Sequence, residues 1–93
     1  MKQGSESGWW QLIELIHQIK NKQQLEQFFQ LLFTPEERHD LAKRMLIIKG
    51  LLAEKLTQRD LARALQVSIA KITRGSNALK MIDNSLSRLL KEN

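Results

Sequence analysis

The 93-residue chain contains no cysteine and a single proline, and its longest unbroken apolar run is only four residues, Met45, Leu46, Ile47 and Ile48. Without cysteine there is neither a disulfide to staple a small fold nor a thiolate metal site, which fits a reducing cytoplasm. A run of four is far short of the roughly 20 apolar residues that a membrane-spanning helix needs. The polar, glycine-containing stretch Met1 to Gly8 holds no apolar signal core, so the expectation is a cytoplasmic protein with a disordered arm over residues 1–8 and one helical domain over 9–93. No strand pattern, internal repeat or low-complexity tract is present. A fold of this length removes from water only roughly two-thirds of the surface its unfolded chain exposes, so stability calls for oligomerisation.

The net charge of +5 is unevenly distributed. Residues 1–33 and 81–93 are each neutral overall, and 34–56 carry a net +1. The remaining +4 lies in residues 57–80, where Arg59, Arg63, Lys71, Arg74 and Lys80 face the single acid Asp60. Basicity with one address points to a polyanion bound at that address.

Helical periodicity runs almost throughout. Trp9, Leu12, Ile13, Ile16 and Ile19 recur at three- and four-residue steps, and Leu25, Phe28, Phe29 and Leu32 resume the pattern after Asn21 and Lys22. Trp9 is expected in the core and Trp10 at a dimer interface. Thr34, Pro35, Glu36, Glu37 reads as an N-cap, a first-turn proline and a capping-box acid opening a long helix to about Glu54. That helix carries Leu41, Met45, Ile48 and Leu52 on one stripe and Ala42, Leu46, Ile47 and Leu51 beside it, too much apolar surface for one neighbour. A second subunit is the expected cover; a self-contained bundle is the alternative.

Thr57 caps a fourth helix with Asp60 as its capping-box partner, Gln66 and Val67 make a turn, and Ser68 caps a fifth. Gly75, Ser76 and Asn77 predict fraying of that helix, and Asp83, Asn84 and Ser85 offer caps for a last one with Leu86, Leu89 and Leu90. The class is therefore all-α, about six short helices. Residues 57–77 read as a helix-turn-helix: Leu61 anchors the first helix, Ala62 is the small residue at the crossing, Leu65 and Val67 bracket the turn, and Ile72 anchors the second. Gln66 stands where glycine is usual. In such motifs the start of the second helix meets base edges while the first crosses the phosphates. This assigns Ser68, Ile69, Ala70, Lys71 and Thr73 to the major groove, Gln58 and Arg59 to a phosphate or guanine edge, and Lys80 to the backbone. Arg63 reads as a solvated charge.

The runs Phe33-Thr34-Pro35-Glu36-Glu37-Arg38 and Gln58-Arg59, and above all Ile72-Thr73-Arg74-Gly75-Ser76-Asn77-Ala78-Leu79-Lys80, resemble the tryptophan-dependent repressors of the tryptophan operon, over about residues 31–82. The resemblance implies a transcriptional repressor, an intertwined homodimer that binds a palindromic operator in double-stranded DNA and is activated by L-tryptophan as corepressor, with no other cofactor. It implies that Arg44 and Arg74 sandwich the indole, Arg74 also holding the carboxylate, while Gly75 permits close approach and Ile48 packs on the ring edge. The backbones of Leu31 and Phe33, with Thr34, meet the amino group from the partner subunit. The family usually has a serine hydroxyl at the position of Ala78, which implies weaker or altered corepressor selection and better tolerance of indole compounds lacking the amino group. Lys71 replaces a smaller uncharged residue, so the preferred operator is expected to differ in detail.

Other classes fit less well. An enzyme lacks inventory: His17 and His39 lie on different helices with no nucleophile motif, and Glu36 and Glu37 suit a helix start. A protein-interaction module anchored by Trp9 and Trp10, and a regulator of the same fold that does not respond to tryptophan, remain as alternatives.

Overall fold

The computed structural model describes residues 4–93, and these form six helices and no strand: α1 (Ser5–Gln18), α2 (Lys22–Leu32), α3 (Pro35–Ala53), α4 (Gln58–Leu65), α5 (Ile69–Leu79) and α6 (Asn84–Glu92). Their contacts divide the chain into two compact units, Met1–Arg38 and His39–Asn93, where the sequence predicted one domain over 9–93. The division falls inside α3. None of these helices is long and apolar enough to cross a membrane.

In the first unit, α1 begins at Ser5, so residues 5–8 of the predicted disordered arm are helical; Met1–Gln3 lie outside the described residues. Glu6 in the first turn complements the helix dipole, and Gln11 Nε2 donates to Ser7 Oγ at 3.3 Å. Asn21 Oδ1 caps α2, accepting from the N–H groups of Gln23 at 2.8 Å and Gln24 at 3.2 Å. Thr34 and Glu37 close the expected capping box: Thr34 Oγ1 accepts from Glu37 N–H at 3.1 Å, and Glu37 Oε1 from Thr34 N–H at 2.9 Å. No residue of α1 or α2 is buried, and Trp9, expected in the core, is 56% exposed. Periodicity identified the apolar face of α1 but not what covers it.

The second unit holds the core, formed by Ile47 of α3, Leu61 and Ala62 of α4 and Ile72 of α5, with Leu51, Leu65 and Val67 packed against it. Thr57 Oγ1 caps α4 by accepting from Asp60 N–H at 3.1 Å, while the Asp60 carboxylate lies 3.6 Å from Arg63. The turn is made by Gln66 in the left-handed region, φ 57° and ψ 48°, a conformation costing a non-glycine residue about 1–2 kcal/mol. Bonds from Gln66 N–H to Arg63 O at 3.3 Å and from Val67 N–H to Ala62 O at 3.0 Å hold it there. Lys43 Nζ donates to Leu65 O at 2.7 Å and Lys49 Nζ to Leu90 O at 2.7 Å, each lysine satisfying a carbonyl at the end of another helix.

Contrary to the expected fraying at Gly75, Ser76 and Asn77, α5 continues to Leu79. Packing overrides propensity here. A Cβ on Gly75 would lie 2.9 Å from Ile47 Cγ2, so α3 and α5 approach closely at the glycine. Gln58 Nε2 also donates to Ser76 Oγ at 3.4 Å, tying the start of α4 to the same turn.

Asp83 Oδ1 caps α6, accepting from Leu86 N–H at 2.9 Å and from the Ser85 hydroxyl at 2.9 Å. The backbone bond first, then the hydroxyl, hold its carboxyl below the ordinary value of 3.8. A carboxyl whose folded pKa is depressed adds stability above its unfolded pKa and loses it as pH falls through the folded one. Acidification below about pH 4 is therefore expected to loosen α6, measured as faster amide exchange at Leu86 and Ser87. Asp83→Asn, which keeps a capping oxygen but does not titrate, should remove that pH dependence.

Candidate functional site

Two faces of α5 carry the functional candidates. On its exposed side and at the start of α4 lie Gln58, Arg59, Ser68, Ile69, Ala70, Thr73 and Lys80, all solvent-exposed, with Lys71 exposed at the same end. The first turn of α5 is set by Ser68, whose Oγ accepts from Lys71 N–H at 3.3 Å. Thr73 donates its hydroxyl to Ile69 O at 3.1 Å, which leaves its methyl and an acceptor lone pair facing outward. Arg59 makes no ion pair, the one pair within 4.0 Å among the described residues being Arg63 with Asp60. That pairing agrees with reading Arg63 as a surface charge.

Behind this face, α3 and α5 enclose a cleft of about 480 Å³. From α3 it is lined by Asp40, Lys43, Arg44, Ile47 and Ile48, and from α5 by Lys71, Arg74, Gly75 and Ala78. The spacing explains the set: Asp40, Arg44 and Ile47 or Ile48 recur every three or four residues, as do Lys71, Arg74 or Gly75, and Ala78, so each helix presents one stripe. Gly75 contributes no side chain, and the space its Cβ would occupy is already filled by Ile47. The floor is thus apolar, and an arginine rises from each wall. Guanidinium groups stack on flat aromatic faces and pair with carboxylates, so the cleft suits a planar aromatic ligand bearing an acid group.

Of the eight residues assigned to a ligand, Arg44, Ile48, Arg74, Gly75 and Ala78 line this cleft together. Leu31, Phe33 and Thr34 belong to the first unit and are not among its lining residues. Leu31 is 80% exposed, Phe33 packs edge-on against Phe29 with centroids 5.7 Å apart, and Thr34 is engaged in its capping box. Asp40, Lys43 and Ile47 were not assigned from sequence, and Lys71 was assigned to DNA alone. The i, i+4 step from Asp40 to Arg44 and the i, i+3 step from Lys71 to Arg74 were the available signals. Among the described residues no group of three or more His, Cys, Asp or Glu side chains is placed to hold a metal.

Residues 7–93 match a family model described as Trp repressor protein, a longer stretch than the 31–82 over which the resemblance was read. A Trp operon repressor homolog from Chlamydia caviae is 48% identical over 90 residues, 97% of this chain and 89% of the relative. One from Chlamydia trachomatis serovar D is 42% identical over 92 residues, 99% and 98% of the two chains. A third, from Vibrio campbellii, is 46% identical over 72 residues, 77% of this chain and 72% of the relative.

Proposed function

The chain belongs to the Trp repressor protein family, and from that premise we propose that it is a cytoplasmic, dimeric transcriptional repressor that takes L-tryptophan into the α3–α5 cleft and then binds a palindromic operator controlling tryptophan biosynthesis or salvage genes. One observation carries this reading: α5 is both a wall of the cleft, through Arg74, Gly75 and Ala78, and the bearer of the exposed residues Ile69, Ala70 and Thr73. A ligand wedged between α3 and α5 therefore sets the attitude of the helix that meets DNA. Arg44 and Arg74 sandwich the indole over the floor made by Ile48 and Gly75. Leu31, Phe33 and Thr34 close the site from the partner subunit.

The pattern of burial supports a partner. Among the described residues only Ile47, Leu61, Ala62 and Ile72 are buried, whereas large apolar side chains such as Trp10, Leu31, Leu41, Met45 and Leu46 are at least 42% exposed. An apolar surface of that extent belongs to an obligate interface. Two-fold pairing of the reading heads places half-sites about 34 Å apart, the spacing general to helix-turn-helix dimers, of which the Trp repressor is a known example. Gln58, Arg59, Ser68, Ile69, Ala70, Thr73 and Lys80 form the DNA surface, while Lys71, which the sequence assigned to that surface, lines the cleft.

The test is isothermal titration of the purified protein with L-tryptophan, followed by DNA retardation with and without the ligand. One tryptophan bound per subunit, with tighter retardation in its presence, supports the corepressor reading. Retardation without any heat of tryptophan binding identifies a helix-turn-helix regulator that ignores tryptophan. Ala78 offers the ligand no hydroxyl, so Ala78→Ser is expected to tighten tryptophan about fivefold, the worth of one neutral hydrogen bond. It should do little for indole-3-propionate, which has no amino group. Equal tryptophan affinity in the two proteins contradicts a hydroxyl contact at that position.

A further inference from the structure

Lys71 is the third residue of α5 and its side chain lines the cleft, although its place in the first turn suggested the major groove. We infer that Lys71 is a specificity-determining residue of the ligand site, pairing beside Arg74 with the carboxylate of the bound ligand, and not a reader of DNA bases. The inference rests on the corepressor reading and adds a residue to it.

Helix geometry separates the two roles. At 100° per residue, Lys71, Arg74, Gly75 and Ala78 fall within an arc of about 100°, whereas Ile69, Thr73 and Lys80 centre on the opposite side of the helix. The first four line the cleft; the other three do not. Lys71 thus shares the ligand's face of α5 and turns away from the face that the groove would meet.

Charge gives the second argument. The cleft is lined by Lys43, Arg44, Lys71 and Arg74 against the one carboxylate of Asp40. Lys43 is engaged with Leu65 O at 2.7 Å, while among the described residues no ion pair within 4.0 Å involves Lys71 or Asp40. Lys71 is accordingly an uncommitted ammonium one turn from Arg74. A guanidinium lying flat on an aromatic ring is poorly aimed at an acid on that ring's side chain, whereas an ammonium on a flexible stem can follow the acid. Lys71 thus shares the carboxylate with Arg74, whose guanidinium also stacks.

The experiment compares the full-length wild type, Lys71→Met and Lys71→Arg, titrated with L-tryptophan and with L-tryptophanamide, whose carboxylate is replaced by a neutral amide. Lys71→Met is expected to weaken L-tryptophan about fivefold, a partly exposed charge pair being worth less than a buried one, and to leave the amide unchanged. Lys71→Arg should restore most of the loss. At saturating tryptophan the operator affinity of Lys71→Met should stay within about twofold of wild type, because no base or phosphate contact has been removed. Unchanged tryptophan affinity, equal loss for acid and amide, or an operator defect that saturating tryptophan does not repair overturns the assignment. Failure of the wild type to bind tryptophan overturns the corepressor reading and this inference with it, a result distinct from the other three.

Discussion

Replacing Ile72 by alanine is expected to lower the thermal midpoint by at least about 10 °C, the consequence of losing about 2–5 kcal/mol in a domain of this size. Ile72 is 0% exposed and stands where α5 crosses α4 and meets Ile47. The core around it is only Ile47, Leu61 and Ala62, with Leu51, Leu65 and Val67 at its margin, so few side chains can relax into the space left behind. Close contacts at two glycines add to this rigidity, since Leu61 already fills the position a Cβ on Gly50 would take and Ile47 does so at Gly75. Ile72→Val, which removes one methylene, should cost about 1 kcal/mol and fall between the two. The check is circular dichroism melting at one fixed protein concentration, because the midpoint of any chain that self-associates moves with concentration. An alanine variant melting within a degree of wild type would mean that this cluster is not what holds α3, α4 and α5 together.

How much of this architecture was legible depended on how local its causes are. The caps at Thr34, Thr57, Ser68 and Asp83 were readable from residue type because each is one oxygen reaching an N–H three residues on. The continuation of α5 through Gly75 was not readable, since Ile47, 28 positions earlier, is what makes glycine favourable there. Gln66 departed from the glycine expected, yet its φ of 57° shows that the turn kept its geometry and absorbed the strain. Arg63 lies 3.6 Å from Asp60, three residues earlier on the same helix, which accords with its reading as a surface charge.

The candidate site divides along the same line. Arg44, Ile48, Arg74, Gly75 and Ala78 entered through family resemblance, and they do line one cleft. Asp40 and Lys43 carry no such signal, because, taken singly, each resembles an ordinary solvated charge on a helix. The exposure of Leu41, Met45 and Leu46 was foreshadowed by the breadth of the apolar stripe on α3. Periodicity reports that a face needs covering, and it is silent on which chain supplies the cover.

Arg74→Ala is expected to weaken tryptophan binding about 100-fold with little change in thermal midpoint. Arg74 is exposed and makes no ion pair within 4.0 Å, so folding loses little when it is truncated. On the proposed corepressor reading, binding loses two things: the face of a guanidinium against the indole, and a cation held near the ligand's acid group, together on the order of 2–3 kcal/mol. Arg74→Lys keeps the charge and gives up the plane, and should fall about tenfold short of wild type. Titration calorimetry separates these values, and DNA retardation then reads their consequence. At a tryptophan concentration that just saturates wild type, Arg74→Ala should behave as the unliganded protein, while a large excess of tryptophan should restore its retardation. An alanine variant that binds tryptophan as wild type does would place the ligand elsewhere than between α3 and α5. A variant that binds normally but fails on DNA would move Arg74 from the ligand's face of α5 to the operator's.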